Sequence, residues 1–194
     1  MNNRPASPPT KKKSFEDFDP FNDRLSRDIR NTLSEAFIDS LSKKDPSDYQ
    51  AAAEKWLAEK PAAGYINYIQ DRLHRYDHVL EKIIASRLDD ALLQSLVLWN
   101  NGLFFEFHEH LERIWHQTSG DEYQALKGLI KAAGVYIHME HNRQQASESL
   151  SEKSLKLIRQ YSHCLAFITN LNVLIQRLEM LAPVSPKLEN PALI

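Results

Sequence analysis

The sequence predicts an all-α fold, a multi-helix bundle of roughly seven to nine helices between disordered N- and C-terminal tails. Three observations carry it. Of nine prolines, three lie before residue 10, three lie after 182 and none falls between 62 and 182, which leaves a long stretch free of helix breakers. Only five glycines are present, and Asn101-Gly102 is the one dipeptide of the hairpin type. Apolar residues recur three and four apart through most of the chain, the spacing of one helix face.

Taken in order, Asp19-Pro20 reads as an N-cap followed by a first-turn proline, because the carboxylate accepts free backbone amides and proline has none to leave unsatisfied. Leu25, Ile29, Leu33, Phe37 and Leu41 then mark a helix face. Asp45-Pro46 repeats the start signal for a helix carrying Tyr49, Trp56 and Leu57, which Lys60-Pro61 interrupts. Ile66, Ile69, Leu73, Tyr76, Leu80 and Ile83 form a long amphipathic pattern with an expected break near Asp77. Leu88, Leu92, Leu96 and Trp99 carry it to the turn at Asn100-Asn101-Gly102. The next helix holds "FFEFHEHLERIW", residues 104–115, and ends near Gly120. Its successor runs from about Glu122 to about His141, and further helices from about Gln145 end with Ile168, Leu171, Ile175 and Leu178.

Within this order, residues 1–20 are expected as a disordered tail and 21–98 as an N-terminal helical extension. Residues 99–181 are expected to form a helical domain packed with the extension as one unit, and 182–194 a loose tail.

Composition sets bounds on function. Hydrophobic content of 42%, charged content of 26% and a net charge of -2 give no overall attraction to nucleic acid. The basic run Lys11 to Lys13 is followed at once by Glu16, Asp17 and Asp19, so it reads as solvated tail. A single cysteine, Cys164, excludes a disulfide framework within the chain and reads as a buried, inert thiol. No signal peptide or membrane-spanning run is visible, so the expected setting is cytoplasmic, with no membrane and no nucleic-acid partner.

Chemistry concentrates in residues 104–115. At about 100° per residue, Phe104, Phe107, Leu111, Ile114 and Trp115 fall in one arc facing the core. His108 and Glu112 lie at its edge, four apart and therefore neighbours. Glu106, Glu109 and His110 point elsewhere on this wheel, and His116 lies toward solvent. On the following helix Lys127, Lys131 and His138 flank an apolar arc, His141 lies closer to it, and Ala125, Gly128 and Ala132 make a small-residue stripe that admits a close neighbour. Two helices joined by a tight turn pack antiparallel, which would bring the polar strips together.

Three chemistries suit such a cluster. His108, Glu112, His138 and His141 are the donor types of zinc, iron or manganese. His108 tuned by Glu112 could serve general acid/base chemistry without metal. The cluster could equally be a hydrogen-bond and salt-bridge network in which Glu112 meets Lys127 or Lys131. A second group, Asp71, His74 and His78, shares a face with many charges and reads as solvated. Trp56 and Trp99 fit the apolar periodicity and read as core.

"WNNGLFFEFHEHLERIW" followed by "LKGLIKAAGVYIHMEHNRQQA" resembles the family catalogued as domain of unknown function 309, over roughly residues 99–160. The shared pattern places Asn101 or Asn100, Gly102, Phe105, Glu106, His108, Glu109, Glu112 and Trp115 before Gly128, Leu129, Ile130, His138, Asn142 and Ala146. The family commonly carries Gln where Lys127 and Lys131 stand. The resemblance implies an all-helical fold and a metal-binding His/Glu motif. The expected site is therefore a divalent transition metal (Zn, Fe or Mn) held by His108, Glu112 and His138, with Glu109 or His141 in support. Glu106, Trp115, Lys127, Lys131 and Asn142 are expected around it. If a metal is held there, hydrolysis through a metal-bound water is the expected chemistry; without one, the cluster is expected to be a small-ligand site. The alternative is a non-catalytic helical interaction module, with a protein partner or a second copy on an open helical face.

Overall fold

In the computed structural model, residues 18–193 are described, and they fold into eight α-helices and two short 3₁₀ turns with no strand. The helices are α1 (Arg24–Lys43), α2 (Ser47–Ala58), α3 (Ala63–Ala85), α4 (Ala91–Asn100), α5 (Phe104–Trp115), α6 (Gly120–Glu140), α7 (Gln144–Gln160) and α8 (Leu171–Glu179). The all-α bundle expected from the proline gap is therefore the observed fold. Most of the expected N-terminal tail, with Lys11 to Lys13, lies outside the described residues. Among those described, no helix is long and apolar enough to cross a membrane.

The start of α1 corrects the sequence reading. Asp23, not Asp19, is the N-cap, and its carboxylate accepts from the amides of Leu25 and Ser26. Asp19 closes the preceding turn instead, accepting from the Phe21 amide at 2.9 Å and from Asn22 Nδ2 at 2.6 Å. Ser26 Oγ links the two, accepting from the Asp19 amide and donating to Asp23. At α2 the N-cap is Pro46 rather than the expected Asp45, whose carboxylate accepts from the Ser47 amide just before the helix.

Helix α3 shows no break at Asp77. The Tyr49 hydroxyl donates to Asp77 Oδ1 at 2.7 Å, so this charge fastens α2 to α3 rather than interrupting the helix. Phe37 stacks on Tyr76 at 3.9 Å between ring centres, with Tyr49 edge-on to both, and the three rings fill the junction of α1, α2 and α3. Trp99 is fully buried and meets Phe104, Phe107 and Tyr136 edge-on, joining α4, α5 and α6. Trp56 and Cys164 are only partly buried, so neither is a full core residue.

The small-residue stripe of α6 receives α7. A Cβ on Gly128 would lie 3.0 Å from Ile158 Cγ1 and 3.2 Å from its backbone nitrogen, and Ser154 Oγ donates to the Gly128 carbonyl at 2.8 Å. Asn142, with φ of 55°, reverses the chain between these helices, a conformation asparagine tolerates better than most residues.

The C-terminal segment is not loose over its described residues. Trp99 Nε1 donates to the Pro186 carbonyl at 2.8 Å, and Leu188 is buried. Asn100 pairs with the Leu188 backbone twice, donating from Nδ2 and accepting at Oδ1, both at 2.7 Å. Asn170 does the same with Lys187 and Glu189. Residues 182–193 are a strap across α4, held by amide side chains that local periodicity does not reveal.

Candidate functional site

Helix α5 has neighbours on several sides, with α1, α4 and α6 all packed against it. Its wheel therefore cannot be divided into one core arc and one solvent arc. Two residues expected to face away are in fact enclosed. Glu106 has no exposed surface and accepts from the Tyr76 hydroxyl at 2.6 Å, while Arg72 Nε approaches the same oxygen to 3.9 Å. His110 is buried with Nε2 3.0 Å from the Ala91 carbonyl, so that nitrogen carries the proton. Burial lowers the His110 pKa, keeping the ring neutral.

Around Glu106 lies a buried ionic centre that sequence reasoning missed. Burial opposes the charge of Arg72, but Tyr68 and Glu106 outweigh it and hold the guanidinium pKa well above its ordinary value. The Arg72 side chain also lies over the Tyr68 ring at 4.9 Å. Its Nε and Nη1 and the Glu106 Oε2 have no hydrogen-bond partner among the described residues. The available signal was phase: Arg72 falls in step with Ile69, Tyr76 and Ile83, all of them buried on α3.

The expected meeting of polar strips does occur. A cavity of about 370 Å³ lies between α5 and α6, and His108, Glu112, Lys127, Lys131 and His138 all line it. Phe105, Trp115, Ile130 and Ile137 form apolar walls. Trp115 is fixed there by donating Nε1 to the Tyr123 carbonyl at 2.9 Å and by stacking on the Tyr123 ring. Phe21 and Arg30 close the cavity from outside the α5–α6 pair.

His108 has a carboxylate at each ring nitrogen. Nδ1 lies 3.2 Å from Glu109 Oε1 and Nε2 lies 3.7 Å from Glu112 Oε1. The hydrogen bond from His108 holds the Glu109 carboxyl below the usual carboxylate range, against the effect of burial. One donor atom from each of His108, Glu109 and Glu112 lies within 4.8 Å of the others, so this trio could hold a metal ion. One imidazole and two carboxylates suit zinc, iron or manganese.

The trio differs from the expected ligand set by having Glu109 where His138 was expected. His138 stands on the cavity wall with Nδ1 accepting from Arg143 Nε at 3.2 Å and its ring stacked on Phe21 at 4.7 Å. Burial, then the charge of Arg143, lowers its pKa. His141 packs edge-on to Phe21 and also has its pKa lowered by burial. Asn142 serves the turn described above, not the cavity.

Among the described residues, no ion pair joins Glu112 to Lys127 or Lys131. His74 and His78 are exposed, as the charged pattern around them suggested. His116 is exposed too.

Residues 92–150 match the model of the family described as Domain of unknown function (DUF309). That segment runs from α4 into α7 and contains the trio, Glu106 and the cavity residues of α6. The resemblance seen in the sequence is thus shown, shifted toward the N-terminus. A protein of Aquifex aeolicus (strain VF5), named only as an uncharacterized protein, is 24% identical over 141 residues, covering 72% of this chain and 39% of that relative. The chain therefore spans about two fifths of the relative's length. No solved structure matches.

Proposed function

We propose that the chain is a helical small-molecule-binding protein whose His108, Glu109 and Glu112 hold a divalent transition metal at the edge of the α5–α6 cavity. The observation that carries this reading is the convergence of the three donor atoms within 4.8 Å, two of the residues lining the half-open cavity beside them. A hard or borderline cation offsets the repulsion between two half-buried carboxylates. Such an ion supplies Lewis acidity, and hydrolysis is the simplest chemistry that uses it. The chain's own contribution is positional. Glu109 and Glu112, one beside each ring nitrogen of His108, set the orientation of its ring within the trio.

A metal-free reading is favoured by one observation: each nitrogen of His108 already faces a carboxylate, so the trio is satisfied by itself as a structural network of a non-catalytic interaction module. Elemental mass spectrometry separates the two, on untagged protein purified without chelator. The metal reading expects about one equivalent of a transition metal, lost in His108→Ala and Glu112→Gln. Glu112→Gln protein with undiminished metal content, or wild-type protein that takes up no zinc or manganese on titration, would sink it.

A further inference from the structure

The cavity beside the trio carries more positive charge than its lining carboxylates balance. Arg30 of α1 and Lys127 and Lys131 of α6 line it, against Glu112 as the one lining carboxylate. Glu112 is already engaged by His108. Among the described residues, none of the three cations is within ion-pair distance of a carboxylate, although Glu106 and Glu109 act on Arg30 from further away. Arg30 lies over the Phe105 ring, 3.8 Å from its centre, and donates to Asn31 Oδ1. Lys127 stands 5.8 Å from the centre of the Tyr123 ring.

Lys131 is half-buried, and its pKa is lowered first by that burial and then by Lys127 and Lys153. Lys127 and Lys131 are four apart on one helix, where like charges repel. Two ammonium groups held on one cavity wall without a carboxylate is an arrangement that a bound anion would relieve. Phe105, Trp115 and Ile130 supply apolar wall, and a volume of about 370 Å³ suits a compact organic molecule.

We propose that this cavity binds a small organic anion, its carboxylate or phosphoryl group held by Arg30, Lys127 and Lys131 and its apolar body lying against Phe105, Trp115 and Ile130. The inference names the ligand class of the proposed site, and it rests on that reading in taking His108 and Glu112 as the other pole of one cavity. Cations on one wall and a metal trio on another would grip an anion from two sides, and would disfavour amines of the same size.

The test uses benzoate and phenyl phosphate as probes, with benzylamine and benzyl alcohol as size-matched controls, on the full chain with and without added zinc. Saturation-transfer NMR detects binding and calorimetry measures it. One or both anions are expected to bind while the controls do not, and whichever anion binds more tightly identifies the head group. Lys127→Met/Lys131→Met is expected to weaken the anion at least about tenfold, with Lys131→Arg close to wild type and circular dichroism confirming a folded protein. Failure of both anions to bind folded protein, equal binding of the controls, or unchanged affinity in the double methionine variant overturns the proposal. Zinc content of the same samples keeps the two ideas apart. Zinc bound without either anion refutes the ligand class alone, and an anion bound by protein that never takes up zinc refutes the metal alone.

Discussion

His110 shows how a single enclosed imidazole sets a pH limit on the fold. Its ring is buried, Nε2 donates to the Ala91 carbonyl, and burial lowers its folded pKa from the ordinary value of 6.5. Above that value the ring is neutral in both states and adds no pH dependence. As pH falls below it the unfolded chain takes up a proton that the folded chain resists, so stability is lost, by up to about 1.4 kcal/mol per pH unit for one such group. Urea denaturation between about pH 7.5 and pH 5.5 is expected to show a smaller loss for His110→Gln than for wild type. Parallel losses would mean that His110 is not the group responsible. Neither His110 nor Glu106 was legible as a buried residue. An apolar arc reveals which side of a helix must be covered, and cannot reveal that α1 and α4 cover other sides as well. His108 and Glu112 were legible because they flank that arc directly. Glu109 was legible only as a supporting residue, since its role arises from contact with the nearer nitrogen of His108.

Among whole elements, the α6–α7 contact is the one whose geometry the sequence states most openly, through Ala125, Gly128 and Ala132. The structure makes Gly128 the tightest point. A methyl group there would meet Ile158 at 3.0 Å and Leu157 Cβ at 3.1 Å, close to backbone that cannot easily yield. Gly134 differs, because the only atom a methyl group would crowd is the end of the Leu150 side chain at 3.1 Å. Gly128→Ala is therefore expected to destabilise by about 1–3 kcal/mol despite alanine's better helix propensity. Gly134→Ala is expected to be near neutral. Thermal melts of the two variants check this, and a Gly128→Ala protein as stable as wild type would show that α7 can shift outward freely. Helix boundaries were harder to read. Asp19 and Asp23 are equally good caps by type, and the choice between them is made by Ser26 Oγ, which contacts both segments.

At the scale of the whole molecule, long-range amide contacts close the bundle. The strap at 182–193 reaches α4 across a separation of 88 residues through Asn100, and no local pattern signals such a pairing. Three prolines and several polar residues there look like a tail because nothing in the segment itself repeats. Asn100→Ala removes both bonds to the Leu188 backbone and is expected to cost about 1–3 kcal/mol, with the loss read in urea titrations. A change within experimental error would show that Leu188 burial alone holds the strap. The prediction is specific to the side-chain amide, since Lys187 Nζ also donates to the Asn100 backbone carbonyl, which alanine retains.

Phe21 and Arg30 complete the cavity, yet both lie outside the segment at 92–150 that matches the family model. The donor trio and one wall of the container around it thus have separate origins along the chain. Two proteins identical throughout that segment could present the same donors to different molecules, because the wall opposite is written elsewhere. Ligand preference inferred from the matching segment alone would therefore omit Phe21 and Arg30, the ring and the cation that this wall contributes.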